Sequence, residues 1–559
     1  MDKKTLGYKP DFSGESWTAE ELAIIEPFAS DPKGLVSVLT NLPPEITGAL
    51  CSRASRASGS LLKVLLKEYL DPILEGEDRK LAGELRDTIA FLKNGGFKNI
   101  LNNQRAQAFY AKWLSQYGDD SIAQMTGTHI VFWGISQVAM KFLEDRRIGL
   151  EPIEKSTRYV NFGNKIGGRY LYYIPKPDLE KHGLLKEYTE TMDHLFDTYV
   201  KLLPPLVEWL KANFDDKESV LEKKAFDTLR GLLPMATLGQ VAFRGNAQAL
   251  EYVISRTLKS PIGELRWIAN AMKTELDKEI PSLLLRLNEE RSQEYQDYLV
   301  SRPARVREAL NELESKVDIY RNEKPEVRLV DFDPQAEDKI LTAILFPESH
   351  ASWESVARTV AKLSNEEKDN VFEAYLGGRK GRWYKTGRAL ENSFLRFEVT
   401  MNIGAYRDLQ RHRMMTQERQ RFSTHHGFDL PPEIKEAGME KEFSEALERT
   451  HDLFVKLEAL DPDLAQYVVP LAYRMRFYQY QNIRQAFWES ELRTISQGHP
   501  DYRFIEQEKY KLVKEQFPRI AKYMLVDMQN YAIARRNTEE RIAAKERDLV
   551  EKLKKRNQS

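Results

Sequence analysis

The chain has 559 residues, of which 42% are hydrophobic and 30% charged, the composition of a globular protein long enough for about two to four domains. Its 84 basic and 85 acidic residues nearly cancel, so bulk charge gives no reason to expect a nucleic-acid or membrane partner. The single cysteine, Cys51, excludes an internal disulfide and a cysteine-ligated metal centre, and its apolar neighbours indicate a small buried thiol.

The beginning of the chain, residues 1–15, is polar and lacks the apolar core of a secretory signal. No apolar run approaches the ~20 residues that are needed to span a bilayer. The nine histidines show no metal-binding pair at helical spacing. We therefore expect a cytoplasmic protein with no metal site and no membrane partner.

Two blocks of the sequence repeat one another. Pro234 precedes Asn246 by 12 residues, and Pro470 precedes Asn482 by 12 residues. Each asparagine is followed by apolar residues three and four apart, the spacing of one face of a helix. The repetition predicts a duplicated protein whose two halves meet near Pro325.

Helical and alternating patterns are intermingled in both halves, which predicts an α+β class, two tandem copies of one fold with a mixed sheet and long helices. In the second copy Phe397, Val399 and Met401 alternate with polar residues, as in a half-buried strand. We predict a first half over residues 1–325, a second half over 326–535 and a charged tail over 536–559.

Arg411, His412 and Arg413 form a basic run at the end of a half-apolar stretch. Two arginines that flank a histidine are suited to hold a phosphate group in bidentate fashion. Taken alone, the three residues are better explained as a solvent-facing basic turn. A nucleic-acid site would also use the arginines between Arg407 and Arg421. These residues alone leave all three interpretations open.

Three other positions carry candidate chemistry. Ser156 and Arg158 offer a hydroxyl and a guanidinium two residues apart, which suits one phosphate group. Arg230 enters a mostly apolar segment as a lone cation, which requires either a carboxylate or a ligand as its partner. Arg493 follows Glu489 by four residues, the spacing of a salt bridge on a helix surface.

Together these motifs resemble the signature of the flavin-dependent thymidylate synthases, Arg-His-Arg followed further on by Ser-x-Arg-Tyr. The second copy has Arg411-His412-Arg413 but, seven residues later, Arg421-Phe422-Ser423 in place of Ser-x-Arg. The first copy has Ser156-Thr157-Arg158-Tyr159 but Arg146-Arg147-Ile148 in place of Arg-His-Arg. The chain thus resembles a long, tandem member of that family in which the two halves together supply one signature.

The resemblance implies reductive methylation of dUMP to dTMP, with FAD as cofactor and NADPH and methylenetetrahydrofolate as co-substrates. It also implies a composite site formed by both halves, and a homodimer that resembles a tetramer of synthase-like units, because the family shares each active site between subunits. Its small-molecule partners are then a nucleotide and a folate, and no nucleic acid is expected.

The same resemblance assigns the candidate site residues. For catalysis it implies Arg493, which would stabilise negative charge on the uracil ring. The residues that it implies for dUMP are Asp408, Arg411, Arg493, Glu154, Ser156, Thr157, Arg158 and Arg230. The residues that it implies for FAD are Ser121, Glu154, Arg411, His412, Arg413, Asn482, Arg484 and Trp488.

Some positions depart from the family's pattern. Asp408 stands where a glutamine contacts the nucleotide, Trp488 stands where an asparagine contacts the flavin, and Asp119 replaces a histidine. These departures leave room for a second hypothesis, a flavin- or nucleotide-binding pseudoenzyme with a regulatory or structural role. A third hypothesis is a nucleic-acid-binding protein that uses the arginines around Arg413.

Overall fold

The chain forms two compact units, each assembled from three separate stretches of sequence. The computed structural model describes residues 2–12, 14–57, 59–97, 103–116, 120–313, 324–533, 544–552 and 555. Unit 1 comprises Met1–Leu202, Leu232–Tyr320 and Lys441–Pro470. Unit 2 comprises Leu203–Gly231, Arg321–Glu440 and Leu471–Ser559. The stretch that precedes Pro234 therefore belongs to unit 2, and the equivalent stretch that precedes Pro470 belongs to unit 1.

Unit 1 is built on a four-stranded sheet in the order β1-β2-β4-β3, and every neighbouring pair is antiparallel. Its strands are β1 Val36–Leu39, β2 Gly127–Ser136, β3 Leu150–Glu154 and β4 Leu238–Asn246. The register of β2 against β4 shifts at Gly134, whose φ of 83° lies in the left-handed region that favours glycine.

Unit 2 repeats the same topology with a second four-stranded sheet, in the order β5-β6-β8-β7 and again antiparallel throughout. Its strands are β5 Glu326–Phe332, β6 Leu395–Asn402, β7 Thr416–Arg419 and β8 Arg474–Gln481. The predicted alternation is confirmed, since Phe397, Val399 and Met401 of β6 are each at most 1% exposed. The α+β class and the two tandem copies are confirmed. A mixed sheet was expected, but all neighbouring strands of both sheets are antiparallel.

Helices make up most of the remaining regular structure. Up to residue 313 the longer helices are α1 Ala19–Ile25, α2 Pro44–Arg53, α3 Arg79–Lys93, α4 Asn103–Tyr110, α5 Gln137–Glu144, α6 Leu185–Asn213, α7 Glu218–Leu229, α8 Ala247–Thr257, α9 Gly263–Glu279 and α10 Glu290–Leu313. After residue 324 they are α11 Ala336–Leu345, α12 Trp353–Val360, α13 Asn365–Leu376, α14 Ile403–Leu409, α15 Glu440–Leu460, α16 Ile483–Arg493 and α17 Pro500–Gln516. Within the described residues, none of the helices is both long enough and apolar enough to cross a membrane.

Four of these helices begin where a strand ends, each at a polar residue that caps the helix. The side chains of Ser136, Asn246, Asn402 and Asn482 accept a hydrogen bond from the backbone N–H three residues later, at 2.8 to 3.0 Å. A cap of this kind stabilises a helix by about 1 kcal/mol. The two asparagines of the sequence repeat are therefore helix starts, and they place α8 and α16 at equivalent positions after β4 and β8.

Candidate functional site

Arg493, at the end of α16, is held by two other side chains of unit 2. Its Nε donates a hydrogen bond of 2.8 Å to Nε2 of His412, and its Nη1 lies 3.6 Å from Oδ1 of Asp408. The Arg493 side chain is only 13% exposed. The structure therefore brings together three residues that the resemblance in sequence assigned to the site, and Arg493 compensates the negative charge of Asp408.

His412 is a neutral residue in spite of its basic neighbours in the sequence. It is 5% exposed, and this burial lowers the pKa of His412 to about 3. The positive charges of Arg493 and Lys509 act in the same direction, while Glu489 and Asp408 oppose them. A neutral ring at pH 7 agrees with its role as the acceptor of a hydrogen bond from an arginine.

The remainder of the basic run contributes two permanent cations. Arg411 is exposed and Arg413 is half-buried. Arg407, which a nucleic-acid footprint would need at the surface, is only 5% exposed. The run is therefore a mixture of exposed and buried groups and not a continuous basic surface.

A buried group of charges connects α16 and α17. Nζ of Lys509 lies 2.8 Å from Oε2 of Glu489, 2.9 Å from Oε1 of Glu506 and 2.8 Å from Oε1 of Gln479. All four residues are at most 1% exposed. The predicted salt bridge between Glu489 and Arg493 is wrong, because Glu489 lies on the buried side of α16 and pairs with Lys509.

The three charges of this group compensate one another unequally. Burial raises the pKa of Glu506 to about 7, and the neighbouring Glu489 acts in the same direction. Burial acts to raise the pKa of Glu489 as well, but Lys509, together with His412 and Gln479, outweighs it, and the pKa of Glu489 is lowered. Lys509 is therefore the residue on which both carboxyl groups depend.

Two flavin candidates of α16 are accessible from solvent. Nε of Arg484 donates to the carbonyl oxygen of Thr386 at 3.1 Å, and its Nη1 pairs with Glu391 at 2.5 Å. Trp488 is 36% exposed, and Nζ of Lys385 lies 3.3 Å from the centre of its ring. Lys385 therefore covers one face of the Trp488 ring, and Arg484 is paired with Glu391. An exposed aromatic ring and two cations are residue types that contact a planar cofactor with phosphate groups.

The nucleotide loop predicted in the first copy follows β3 of unit 1. Oε2 of Glu154 lies 3.0 Å from Nζ of Lys141, and both residues are buried. Oγ of Ser156 accepts a hydrogen bond of 3.2 Å from the backbone N–H of Arg158. Thr157 is 2% exposed and Arg158 is 7% exposed. The loop is thus a well-packed segment, and only Ser156 among its candidate residues is half-buried.

Three other sequence candidates lie in the first copy. Ser121 is exposed on the short helical turn Asp120–Gln124, and Asp119 lies outside the described residues. Cys51 is 7% exposed, and burial raises the pKa of its thiol to about 12. The prediction of a small buried thiol is confirmed, and this thiol is unsuited to act as a nucleophile.

Arg230 lines a cavity of about 500 Å³ within unit 2. It is 4% exposed, and its Nε lies 3.5 Å from Oδ1 of Asp227. Its buried Nη2 has no hydrogen-bond partner among the residues that the structure describes. A buried guanidinium nitrogen without a partner costs free energy unless a ligand completes it. The lone cation of the sequence therefore has Asp227 as a carboxylate partner, and the cavity leaves room for a ligand beside it.

The walls of this cavity come from both sides of residue 325. Lys224 pairs with Glu433, and Arg474 pairs with Asp429, so both of these cations are neutralised by carboxylates. His499 lies beside the carboxylate that Arg230 approaches. The described residues that line the cavity do not include Arg411, His412, Arg413 or Arg493.

The position of unit 1 that is equivalent to Gly231 carries a large buried side chain. By the spacing of the repeat, Tyr467 stands where unit 2 has Gly231. Tyr467 is 2% exposed and donates a hydrogen bond of 2.9 Å to Glu264, the second residue of α9. Glu264 also accepts from the backbone N–H of Ser136 at 2.8 Å and from its Oγ at 2.6 Å. An aromatic ring thus occupies the position that a glycine leaves open in unit 2.

We expect Glu264→Gln to remove one component of the pH dependence of stability. Burial raises the pKa of Glu264 to about 7, above the 4.5 of a carboxyl group in the unfolded chain. The folded state therefore binds the proton of Glu264 more tightly than the unfolded chain does. This proton stabilises the folded state by about 3 kcal/mol below pH 4.5, and the stabilisation is lost as pH rises through 7. Urea unfolding at pH 5 and pH 8 measures it.

The variant should accordingly gain stability relative to the wild type as pH rises. The matched control is Glu308→Gln at an exposed position of α10. The difference in unfolding free energy between this variant and the wild type should be the same at pH 5 and pH 8. If the unfolding free energies of Glu264→Gln and the wild type differ by the same amount at pH 5 and pH 8, the assignment of a raised pKa to Glu264 is wrong.

Sequence patterns alone did not identify Asp227, His499, Gln485 or the Lys509 group. A pattern that could have found the last of these lies in α17, where Glu506 and Lys509 occupy the apolar stripe between Tyr502 and Val513. Charged residues at buried positions of a helix require partners, and the carboxylate and the lysine provide them for each other.

Comparisons with known proteins agree with the duplicated architecture. The family model described as thymidylate synthase complementing protein matches twice, over residues 84–282 and 328–519. A UPF0159 protein of Chlamydia pneumoniae is 35% identical over 530 residues, which are 92% of this chain and 97% of the relative. One from Chlamydia muridarum is 34% identical over 96% of this chain and 99% of its own length. A UPF0159 protein of Thermoplasma acidophilum is 30% identical over 79% of this chain and 93% of its own length.

Proposed function

The chain belongs to the thymidylate synthase complementing protein family, the flavin-dependent thymidylate synthases, as a member with two tandem copies, and we propose that it catalyses the reductive methylation of dUMP to dTMP. FAD would be its cofactor, with NADPH and methylenetetrahydrofolate as co-substrates. The observation that carries this proposal is Arg230, a buried guanidinium with an unsatisfied nitrogen at the wall of a cavity. Such a group is completed by an anion, and a nucleotide phosphate supplies one.

Arg493 is the proposed catalytic residue. Its guanidinium would stabilise the negative charge that develops at the N3/O2 edge of uracil when carbon 5 becomes nucleophilic. Activation by thiolate addition has no support, because the buried Cys51 holds its proton with a pKa of about 12. The role is electrostatic, and Asp408 and His412 hold Arg493 in place for it.

The nucleotide would be held by arginines and hydroxyl groups from both halves. Arg230 and Arg411 are the proposed phosphate ligands in unit 2, and Asp408 acts through Arg493. From the first copy we propose the loop after β3. Its proposed dUMP residues are Glu154, Ser156, Thr157 and Arg158. This composite arrangement explains why each copy retains a different part of the family signature.

Flavin binding is proposed for eight residues, of which Glu154 and His412 are buried and the others are exposed or half-buried. They are Ser121, Glu154, Arg411, His412, Arg413, Asn482, Arg484 and Trp488. When bound, FAD would supply the redox chemistry, with NADPH as the source of electrons. The chain's own part is to orient the ring on Trp488 and to balance the diphosphate charge with Arg484 and Lys385.

For the assembly we propose a cytoplasmic homodimer that contains four synthase-like copies. We propose that the two synthase-like halves of the sequence are residues 1–325 and 326–535, followed by a charged tail over 536–559. Its partners would be small molecules, a nucleotide and a folate.

A second candidate is a flavin- or nucleotide-binding pseudoenzyme. Asp408 and Trp488, where the family has glutamine and asparagine, favour it. A nucleic-acid-binding role has less support, because Arg407 is buried.

The test is the visible absorption spectrum of the full chain with FAD, recorded during a titration with dUMP. The proposal predicts a saturable change in the flavin bands and formation of dTMP when NADPH and methylenetetrahydrofolate are added. For Arg230→Gln, the dUMP concentration that gives half of the change in the flavin bands should rise about 10- to 100-fold. This factor corresponds to the loss of one charge-assisted hydrogen bond. Arg358→Gln, an exposed arginine of α12, is the control and should leave it unchanged.

The other outcomes separate the hypotheses. Flavin binding and a dUMP response without dTMP formation would support the pseudoenzyme. Absence of flavin binding would overturn the synthase proposal, and strongly salt-dependent binding of DNA or RNA would then support the third hypothesis.

A further inference from the structure

The geometry around His412 gives this histidine a role that differs from binding an anion. Both ring nitrogens are engaged inside unit 2, Nε2 by Nε of Arg493 at 2.8 Å and Nδ1 by the side-chain amide of Gln485 at 3.2 Å. The ring is 5% exposed. It therefore lies beneath the surface on which Arg411 is exposed, and its contacts are with protein groups.

We propose that His412 is a positioning residue for Arg493: its ring accepts the Nε–H and thereby fixes the plane of the guanidinium, so that Nη2 and the N–H of Nη1 that Asp408 leaves open face the base of the nucleotide. This inference rests on the proposed function, because the orientation matters only if Arg493 contacts the base.

The hydrogen-bond inventory determines the tautomer. Arginine has donors and no acceptor, so Nε2 of His412 must be unprotonated, and the neutral ring then carries its proton on Nδ1. Gln485 must turn its amide oxygen, and not its nitrogen, towards Nδ1, which requires only a flip of the amide. The backbone N–H of Gln485 is in turn fixed by Asn482 at 2.9 Å. A series of hydrogen bonds therefore runs from Asn482 through Gln485 and His412 to Arg493. It links the start of α16 to its end and holds the Arg493 side chain in one orientation.

A protonated His412 could not serve in this way, since it would have no acceptor and would repel the guanidinium. The charged groups that act on the ring are Glu489 and Arg493 from α16, Lys509 from α17 and Asp408 from α14. Burial together with Arg493 and Lys509 outweighs the two carboxylates and keeps the ring neutral. The buried Lys509 group thus contributes to the same orientation.

The test compares binding of dUMP with binding of 2-deoxyribose 5-phosphate, which lacks the base, to the full chain saturated with FAD. His412→Leu removes the acceptor at similar volume, and we expect it to reduce the preference for dUMP about 10-fold while leaving the affinity for the sugar phosphate unchanged. His412→Gln places an amide oxygen near the position of Nε2 and should retain most of the preference. An equal loss for both ligands would indicate a general structural role and would overturn the proposal.

A double-mutant cycle isolates the action through Arg493. In the Arg493→Gln background, His412→Leu should have no further effect on the preference for dUMP. If His412→Leu lowers the preference for dUMP by the same factor in that background, the proposal is overturned. It is also overturned if His412→Leu lowers the affinity for FAD and leaves the preference for dUMP intact.

A further readout does not depend on the proposed function. Nitrogen-15 NMR of labelled histidine, assigned by comparison with His412→Gln, should show Nδ1 protonated and Nε2 unprotonated at pH 7, and should show a change at Nε2 in Arg493→Gln. The opposite tautomer would overturn the inference while leaving the proposed function intact. If the wild type itself shows no preference for dUMP over the sugar phosphate, the proposed function fails and the inference fails with it.

Discussion

Arg493→Lys is expected to lower the rate of dTMP formation by about 10²- to 10³-fold, the effect of removing a preorganised donor that stabilises charge in a transition state. Lysine keeps the charge but has no planar fork. It cannot donate to Nε2 of His412 and at the same time present two parallel N–H groups to a uracil edge. Steady-state kinetics with dUMP, NADPH and methylenetetrahydrofolate measure this loss.

The loss should appear mainly in kcat, because the charge that Arg493 stabilises develops during the reaction. Arg358→Lys on α12 is the matched control; its side chain is 69% exposed and it should retain full activity. A decrease of less than about fivefold in Arg493→Lys, at unchanged melting temperature, would contradict a catalytic role. Another group would then have to stabilise the charge on the uracil ring.

The second large effect concerns the stability of unit 2. Lys509→Met should lower the free energy of unfolding by about 3–5 kcal/mol, because it leaves Glu489 and Glu506 buried without their cation. Lys511→Met on the same helix is a close control. Lys511 also pairs with a glutamate three residues earlier, but its side chain is 58% exposed, and the change should cost less than about 1 kcal/mol. Urea unfolding of both variants gives the comparison.

The pH dependence of this defect identifies its origin. Without Lys509 the two carboxyl groups are relieved by protonation, so the loss of stability should shrink as pH falls from 8 to 5. The variant Lys509→Met with Glu489→Gln and Glu506→Gln should recover part of the loss, since no uncompensated charge remains. A cost equal to that of Lys511→Met, or a defect independent of pH, would contradict the buried-charge assignment.

Local patterns predicted the parts of the fold that depend on short-range order. The alternation around Phe397 gave β6, and the repeated asparagines marked the starts of α8 and α16, because period and capping are properties of neighbouring residues. The duplication itself was visible from one spacing, and the two sheets repeat the same strand order.

The chemistry of the site depended on burial, which sequence spacing does not reveal. His412 stands in a basic run, yet its environment is set by α16 and α17 and makes it neutral. The spacing of Glu489 and Arg493 predicted a surface pair, whereas Glu489 faces Lys509 from another helix. The lone Arg230 was recognised as a cation in need of a partner, but the cavity beside it arises from segments far apart in the chain.

The exchange of segments between the units has a consequence for synthesis on the ribosome. Unit 1 begins at the first residues but includes Lys441–Pro470, so its packing cannot be completed until most of the chain has left the exit tunnel. Tyr467 and Glu264 illustrate the delay, because their buried hydrogen bond joins residues made some two hundred positions apart. Folding that waits for such distant contacts is slow and leaves apolar surface exposed in the nascent chain. The order of synthesis therefore leaves unit 1 incomplete until residues 441–470 have been made.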